Sequence, residues 1–173
     1  KEFSAIIQKN TEELMQLVND VLDLSRLEAN MMKFQIQEYD AVALCNDAIY
    51  MARMRNEETI EIYFDTHIET QPITTDTGRL IQALVSTLTY PQKNTTHREI
   101  TFTLTRDDSG KQICFRISNS PLADPEFNSQ EVSIRHDINR LLLQHFGGSY
   151  NITADEQERP VINFTYPLDI ISE

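Results

Sequence analysis

In Leu14-Met15-Gln16-Leu17-Val18-Asn19-Asp20-Val21-Leu22-Asp23-Leu24-Ser25-Arg26-Leu27-Glu28-Ala29 the apolar residues return every three or four positions. Followed outward, the same rhythm links Ile7, Asn10, Leu14, Leu17, Val21, Leu24, Glu28 and Met31, a seven-residue repeat that reads as a helical seam. Ile6, Val18 and Leu22 widen the stripe beyond a two-stranded seam, so the helix is expected to meet more than one neighbour, as in a four-helix bundle. An ordinary amphipathic helix lying on its own domain would carry a similar stripe; length and repeat favour the bundle.

Beyond Ala29 and Asn30 the period changes. Phe34, Ile36 and Tyr39 alternate with polar residues, which predicts a short strand. Asp40 then reads as the cap of a helix carrying Val42, Leu44, Cys45, Ala48, Ile49 and Ala52, with Glu57 and Glu58 as its polar exit. A strand through Ile60, Ile62 and Phe64 follows, then a short extended piece at Pro72. Asp76 caps a helix with Leu80, Ala83, Leu84 and Leu88 inward, which must stop before Pro91. Ile100-Phe102-Leu104 and Ile113-Phe115-Ile117 form a hairpin across Asp107-Asp108-Ser109-Gly110. A helix from Val132 to Phe146, ended by Gly147-Gly148, leads to strands around Tyr150-Ile152 and Val161-Phe164. The predicted fold class is α+β: a long N-terminal helix, then one mixed sheet covered on one face by three helices, a two-layer α/β sandwich.

With 173 residues, 40% of them hydrophobic, the chain can build a real core. Its formal net charge of -12 argues against nucleic-acid binding, which needs surplus Lys and Arg on one face. Cys45 and Cys114 sit in apolar periodic segments and read as reduced core thiols, pointing to a cytoplasmic setting. No apolar run approaches the roughly 20 residues that span a bilayer, and no signal-peptide pattern opens the sequence, so no membrane contact is expected in this segment. His67, His97 and His145 show no metal-ligand spacing, and no metal site is expected.

The stretch Leu14 to Ala29 resembles the second dimerisation helix of hybrid-type sensor histidine kinases. Asp76-x-x-Arg79-Leu80-x-Gln82-x-Leu84 with Lys93-x-Thr95 is similar to the helix carrying that family's N box, and Phe146-Gly147-Gly148 resembles the end of its last sandwich helix. The resemblance implies a dimerisation-type helix over 1–31 and a histidine-kinase-like ATPase domain of the GHKL type over 32–173. It also implies a homodimer through the N-terminal helix, a response-regulator or receiver domain as partner, and a cytoplasmic location, with any membrane part of a receptor lying outside this segment. The family's phosphoacceptor histidine, on the first dimerisation helix, either precedes these residues or is absent from the protein.

In the register set by these motifs, the Asn that holds Mg²⁺ against the triphosphate falls on Tyr90 and the preceding Asn of the box on Ser86, with Pro91 in place of an alanine. The adenine-binding Asp of the first glycine box falls on Asn119, while Pro121 and Ala123 replace its glycines. The second glycine box falls on Ser133-Ile134-Arg135-His136, and no lid of the usual length fits before it. Four coordinated losses predict weak or absent ATP binding, with no cofactor expected and ATP with Mg²⁺ only if the pocket works. Ser86, Tyr90, Lys93, Asn119 and Arg135 are thus vestigial pocket positions, Lys93 and Arg135 being read as solvated charges that could still meet an anion. No catalytic residue is assigned. The alternative is an active ATP-dependent histidine kinase in which Ser86, Asn119 and backbone groups replace the usual contacts; Tyr90 discriminates, by pointing into the cleft or out of it. His136-Asp137 looks superficially like the start of the phosphoacceptor box, but Arg140-Leu141 stands where Thr-Pro should be, and a helix-start histidine is the better reading.

Overall fold

The computed structural model describes residues 2–56 and 58–168. The first helix, α1, runs from Glu2 to Glu28. It ends in a Schellman turn: Asn30 takes the left-handed conformation (φ 55°), and the Met31 and Asn30 amides donate to the Arg26 and Leu27 carbonyls. Strand β1 (Ile36–Asp40), helix α2 (Ala41–Asn56), strand β2 (Ile60–Thr66), strand β3 (Pro72–Asp76) and helix α3 (Thr77–Thr87) follow. The hairpin β4 (Arg98–Arg106) and β5 (Gln112–Ser118) leads through two short 3-10 turns to helix α4 (Gln130–His145) and the strands β6 (Ser149–Ala154) and β7 (Pro160–Pro167). Glu57, half of the expected polar exit of α2, lies outside the described residues.

The expected single sheet is two. Five strands in the order β2-β4-β5-β7-β6 make a mixed sheet, parallel only between β2 and β4, while β1 and β3 pair antiparallel on their own. The extended piece at Pro72 is therefore a strand, whose partner lies far away in sequence. Period-two alternation puts Ile100, Phe102 and Leu104 of β4 and Ile113, Phe115 and Ile117 of β5 on the inner face, all fully buried. Leu44, Cys45 and Ala48 from α2, Leu80 and Leu84 from α3, and Leu142 and Leu143 from α4 close over them. The two-layer sandwich is as expected from the sequence.

Two aspartates organise the small sheet reciprocally. Asp40 at the end of β1 accepts from the Val42 amide, capping α2, and from the Gln71 amide just before β3. Asp76 at the end of β3 accepts from the Arg79 amide, capping α3, and from the Gln35 amide just before β1. At the far end α4 stops in another Schellman turn, with Gly147 at φ 81°. Gly148 passes so close to β7 that a Cβ there would lie 2.0 Å from the Thr165 carbonyl oxygen, which explains the Gly-Gly pair.

The faces of α1 are divided in an unexpected way. The apolar seam residues Ile7 and Leu14 are 63% and 60% exposed, and Val18, Val21 and Leu22 are exposed too. The helix packs on α4 with the opposite side, where the buried residues are Asp20 and Asp23.

Candidate functional site

A cleft of about 1020 Å³ opens between α1 and the sandwich. Ser86, Tyr90, Lys93 and Arg135 all line it, together with Asp20 and Glu13 of α1. Four of the five positions singled out from the sequence thus converge. Asn119 stands apart from this lining.

What these side chains do follows from their partners. Ser86 donates its hydroxyl to the Ala83 carbonyl (2.5 Å) and accepts from the Asn139 amide (3.1 Å), so its oxygen is taken up within the helical layer. The helix α3 ends at Thr87, ahead of Tyr90 and Pro91, as the proline demands. Tyr90 lies in the cleft wall. Its hydroxyl donates to the Thr96 carbonyl (2.6 Å), its ring packs against Phe127 at 5.5 Å, and the Arg98 guanidinium sits 5.7 Å from the ring centroid.

Asn119 is held in the left-handed region (φ 64°) with both ends of its amide engaged: Oδ1 accepts from Arg98 (3.1 Å) and Nδ2 donates to the Glu99 carbonyl (2.9 Å). Arg98 also pairs with Asp124 between the two 3-10 turns, so one guanidinium ties the segment after β5 to the start of β4. Behind it Ser120, fully buried, donates to the Thr87 carbonyl at the end of α3 (2.6 Å). Leu122 and Phe127 are buried, filling space beside the cleft from within the chain.

Arg135 departs from its reading as a solvated charge. It is buried, and its Nη2 meets Asp20 Oδ1 at 2.5 Å across the interface with α1; Arg79 meets Asp23 in the same way at 2.8 Å. Burial pushes the Asp20 carboxyl up against the opposing pull of Arg135, and burial likewise pushes the Arg135 guanidinium down. Lys93 is exposed, as expected. Helix α4 begins earlier than the register from Gly147 suggests: Ser129 caps it by accepting from the Val132 amide, and the Ser133 amide donates within the helix to the Ser129 carbonyl. Asp20 and Arg98 were the residues that sequence reading passed over. A buried charge has no periodic signature; only its partner in space identifies it.

His136 has both ring nitrogens occupied. Nε2 lies 3.1 Å from the Leu122 carbonyl, which can only accept, so that nitrogen carries the proton, and Nδ1 (2.7 Å) accepts from the Tyr150 hydroxyl. Burial holds the imidazole below its ordinary value. A neutral native ring and a normally titrating unfolded one mean that its contribution is complete above the unfolded value and is lost as pH falls through and below it. Moving from about pH 7.5 to about pH 5.5 is expected to lower the urea midpoint, and His136→Gln to flatten that part of the dependence. An equal pH dependence in the variant would place the effect on other groups.

No family model matches the chain. It is 24% identical over 110 residues to hybrid signal transduction histidine kinase A of Dictyostelium discoideum, covering 63% of this chain and 5% of that protein. A sensor-like histidine kinase of Pyropia yezoensis is 38% identical over 65 residues, 37% of this chain and 10% of the relative. The chain therefore spans a small part of the curated relatives it matches. Among solved structures, full-length ShkA in complex with AMPPNP superposes with a TM-score of 0.77 at 19% identity, over 99% of this chain and 39% of that one. Histidine kinase AdeS of Acinetobacter baumannii gives 0.71 at 14% identity, over 97% and 84%. Histidine kinase ThkA in complex with the response regulator TrrA gives 0.68 at 16%, over 98% and 51%. No helix among the described residues is long and apolar enough to cross a membrane. The chain is thus a relative of the sensor histidine kinases, with a hybrid enzyme among its sequence matches, and its fold is that of their core, a long dimerisation-type helix followed by a histidine-kinase-like ATPase sandwich.

Proposed function

We propose that this segment serves a two-component signalling protein as a scaffold, with a sandwich that no longer binds ATP productively. The observation that carries the reading is the internal engagement of the pocket positions. Ser86 is taken by Ala83 and Asn139, Tyr90 by Thr96 and Phe127, Asn119 by Arg98 and Glu99, and Arg135 by Asp20. The residues present do not fit a magnesium triphosphate. A phenol bonded to a carbonyl replaces the amide ligand, the guanidinium is already neutralised, and the amide at Ser133 is spent inside α4. The domain division at 31/32 and pairing through α1 belong to the same reading, supported by the turn after Glu28 and by the outward stripe of Ile7, Leu14, Val18 and Val21. A response-regulator or receiver domain is the partner class, and a cytoplasmic location follows from that role.

The cleft itself favours a second reading, an active kinase with an unorthodox pocket, because its volume compares with that of small-molecule sites of about 300–1,000 Å³. Calorimetric titration with AMPPNP and Mg²⁺ separates the two. No saturable heat is expected from the folded protein; Tyr90→Asn, which removes the ring from the cleft wall, serves as the internal probe. Micromolar binding by the unaltered chain would restore the kinase reading.

A further inference from the structure

On the outer face of the main sheet, away from the cleft, Glu61 of β2 and Glu99 of β4 are register partners on adjacent parallel strands. His97, the last residue before β4, stands beside them, its Nε2 3.8 Å from Glu61 Oε2. One ligand atom from each of the three lies within 4.8 Å of the other two, and all three side chains are exposed. Their separation along the chain hides this grouping from any reading of ligand spacing.

Two carboxylates side by side across a strand pair repel each other. Among the described residues no Lys or Arg forms an ion pair with either one, and the neighbouring Arg98 is committed elsewhere, to Asn119 and Asp124. The chain's net charge of -12 deepens the excess. The Tyr63 hydroxyl donates to Glu61 Oε2 (2.7 Å). The same hydrogen bond orients the Glu61 carboxylate from behind, as outer partners of metal ligands do.

We propose that Glu61, His97 and Glu99 form a surface site for a divalent transition-metal ion of the zinc class. One imidazole nitrogen with two carboxylates is a borderline donor set that suits Zn²⁺, whereas Mg²⁺ and Ca²⁺ take oxygen alone. Zinc–ligand bonds of about 2.0–2.1 Å place tetrahedral ligands about 3.3 Å apart, which exposed Glu and His side chains reach by rotation without moving the strands. Solvent completes the coordination. The bound ion neutralises the carboxylate pair and fastens the segment before β4 to β2. That segment includes Thr96, whose carbonyl holds the Tyr90 hydroxyl, so the metal steadies one wall of the cleft from outside.

Titration of the untagged chain with zinc chloride by calorimetry tests the site. Saturable binding of one equivalent is expected, weakened at least about tenfold by His97→Ala and by Glu99→Gln, and unchanged by His67→Ala, which alters an exposed histidine elsewhere. Magnesium chloride at the same concentrations should give no saturable heat. Circular dichroism confirms that the variants are folded, which the exposure of both side chains favours. Absence of saturable zinc binding, binding that survives both site substitutions, or equal affinity for magnesium would each overturn the proposal.

Discussion

Replacing Arg135 with methionine is expected to release α1 from the sandwich at a cost of about 3 kcal/mol, the low end for breaking a buried ion pair. Asp20 and Arg135 are only 8% and 9% exposed, and the Asp20 carboxylate would keep just the Gln16 amide, at 2.9 Å, to replace the guanidinium. The cheapest escape is for the helix to swing away, because water then solvates the charge while the sandwich core stays closed. Hydrogen exchange should therefore rise over α1 while protection of β4, β5 and β7 changes little. The double variant Asp20→Leu/Arg135→Met should recover most of the docking, since an apolar pair of similar volume carries no desolvation penalty. Unchanged protection of α1 in the single variant would assign the docking to Leu17, Leu24 and Leu27 instead.

Phe164→Ala is expected to cost about 4 kcal/mol of global stability, read as a lowered denaturant midpoint with the slope preserved. The ring is fully buried in β7, between β5 and β6, edge-on to Tyr150 at 5.0 Å and to Phe115 at 6.4 Å. Those strands are hydrogen-bonded on both sides of it, so the surrounding backbone has little freedom to collapse into the void. By contrast, Ile152→Ala on β6, where the side chain is 43% exposed, should cost about 0.5 kcal/mol. Comparable losses at both positions would mean that the inner face is covered as well at the edge strand β6 as at its centre, since Phe164 and Ile152 share that face.

The elements legible in the sequence are those whose signals are local. Asp76 capping α3, the Asp107 to Gly110 hairpin turn, the period-two alternation of β4 and β5, and Gly147 ending α4 each depend on residues a few positions apart. What escaped depends on distant partners. Thr74 and Thr75 give β3 no alternating apolar pattern, and β1 is too far away in sequence to announce the pairing. The apolar stripe of α1 was legible, but its opposite face was not, because Asp20 and Asp23 look like solvated acids until Arg135 and Arg79 arrive from other helices. In the candidate site, the convergence of Ser86, Tyr90, Lys93 and Arg135 followed from motif register. The engagement of Asn119 by Arg98 did not, since it needs the left-handed turn at the end of β5.

The reciprocal aspartates of the small sheet have a mechanical consequence. Asp76 holds the backbone by which α1 enters the sandwich with one oxygen and the first turn of α3 with the other. Asp40 joins the first turn of α2 to the approach to β3 through a single oxygen, Oδ1, that accepts from both. A twist applied along α1 therefore reaches two helices through a pair of rigid pins rather than dissipating in a slack hinge, and the small sheet acts as the gearbox between rod and body.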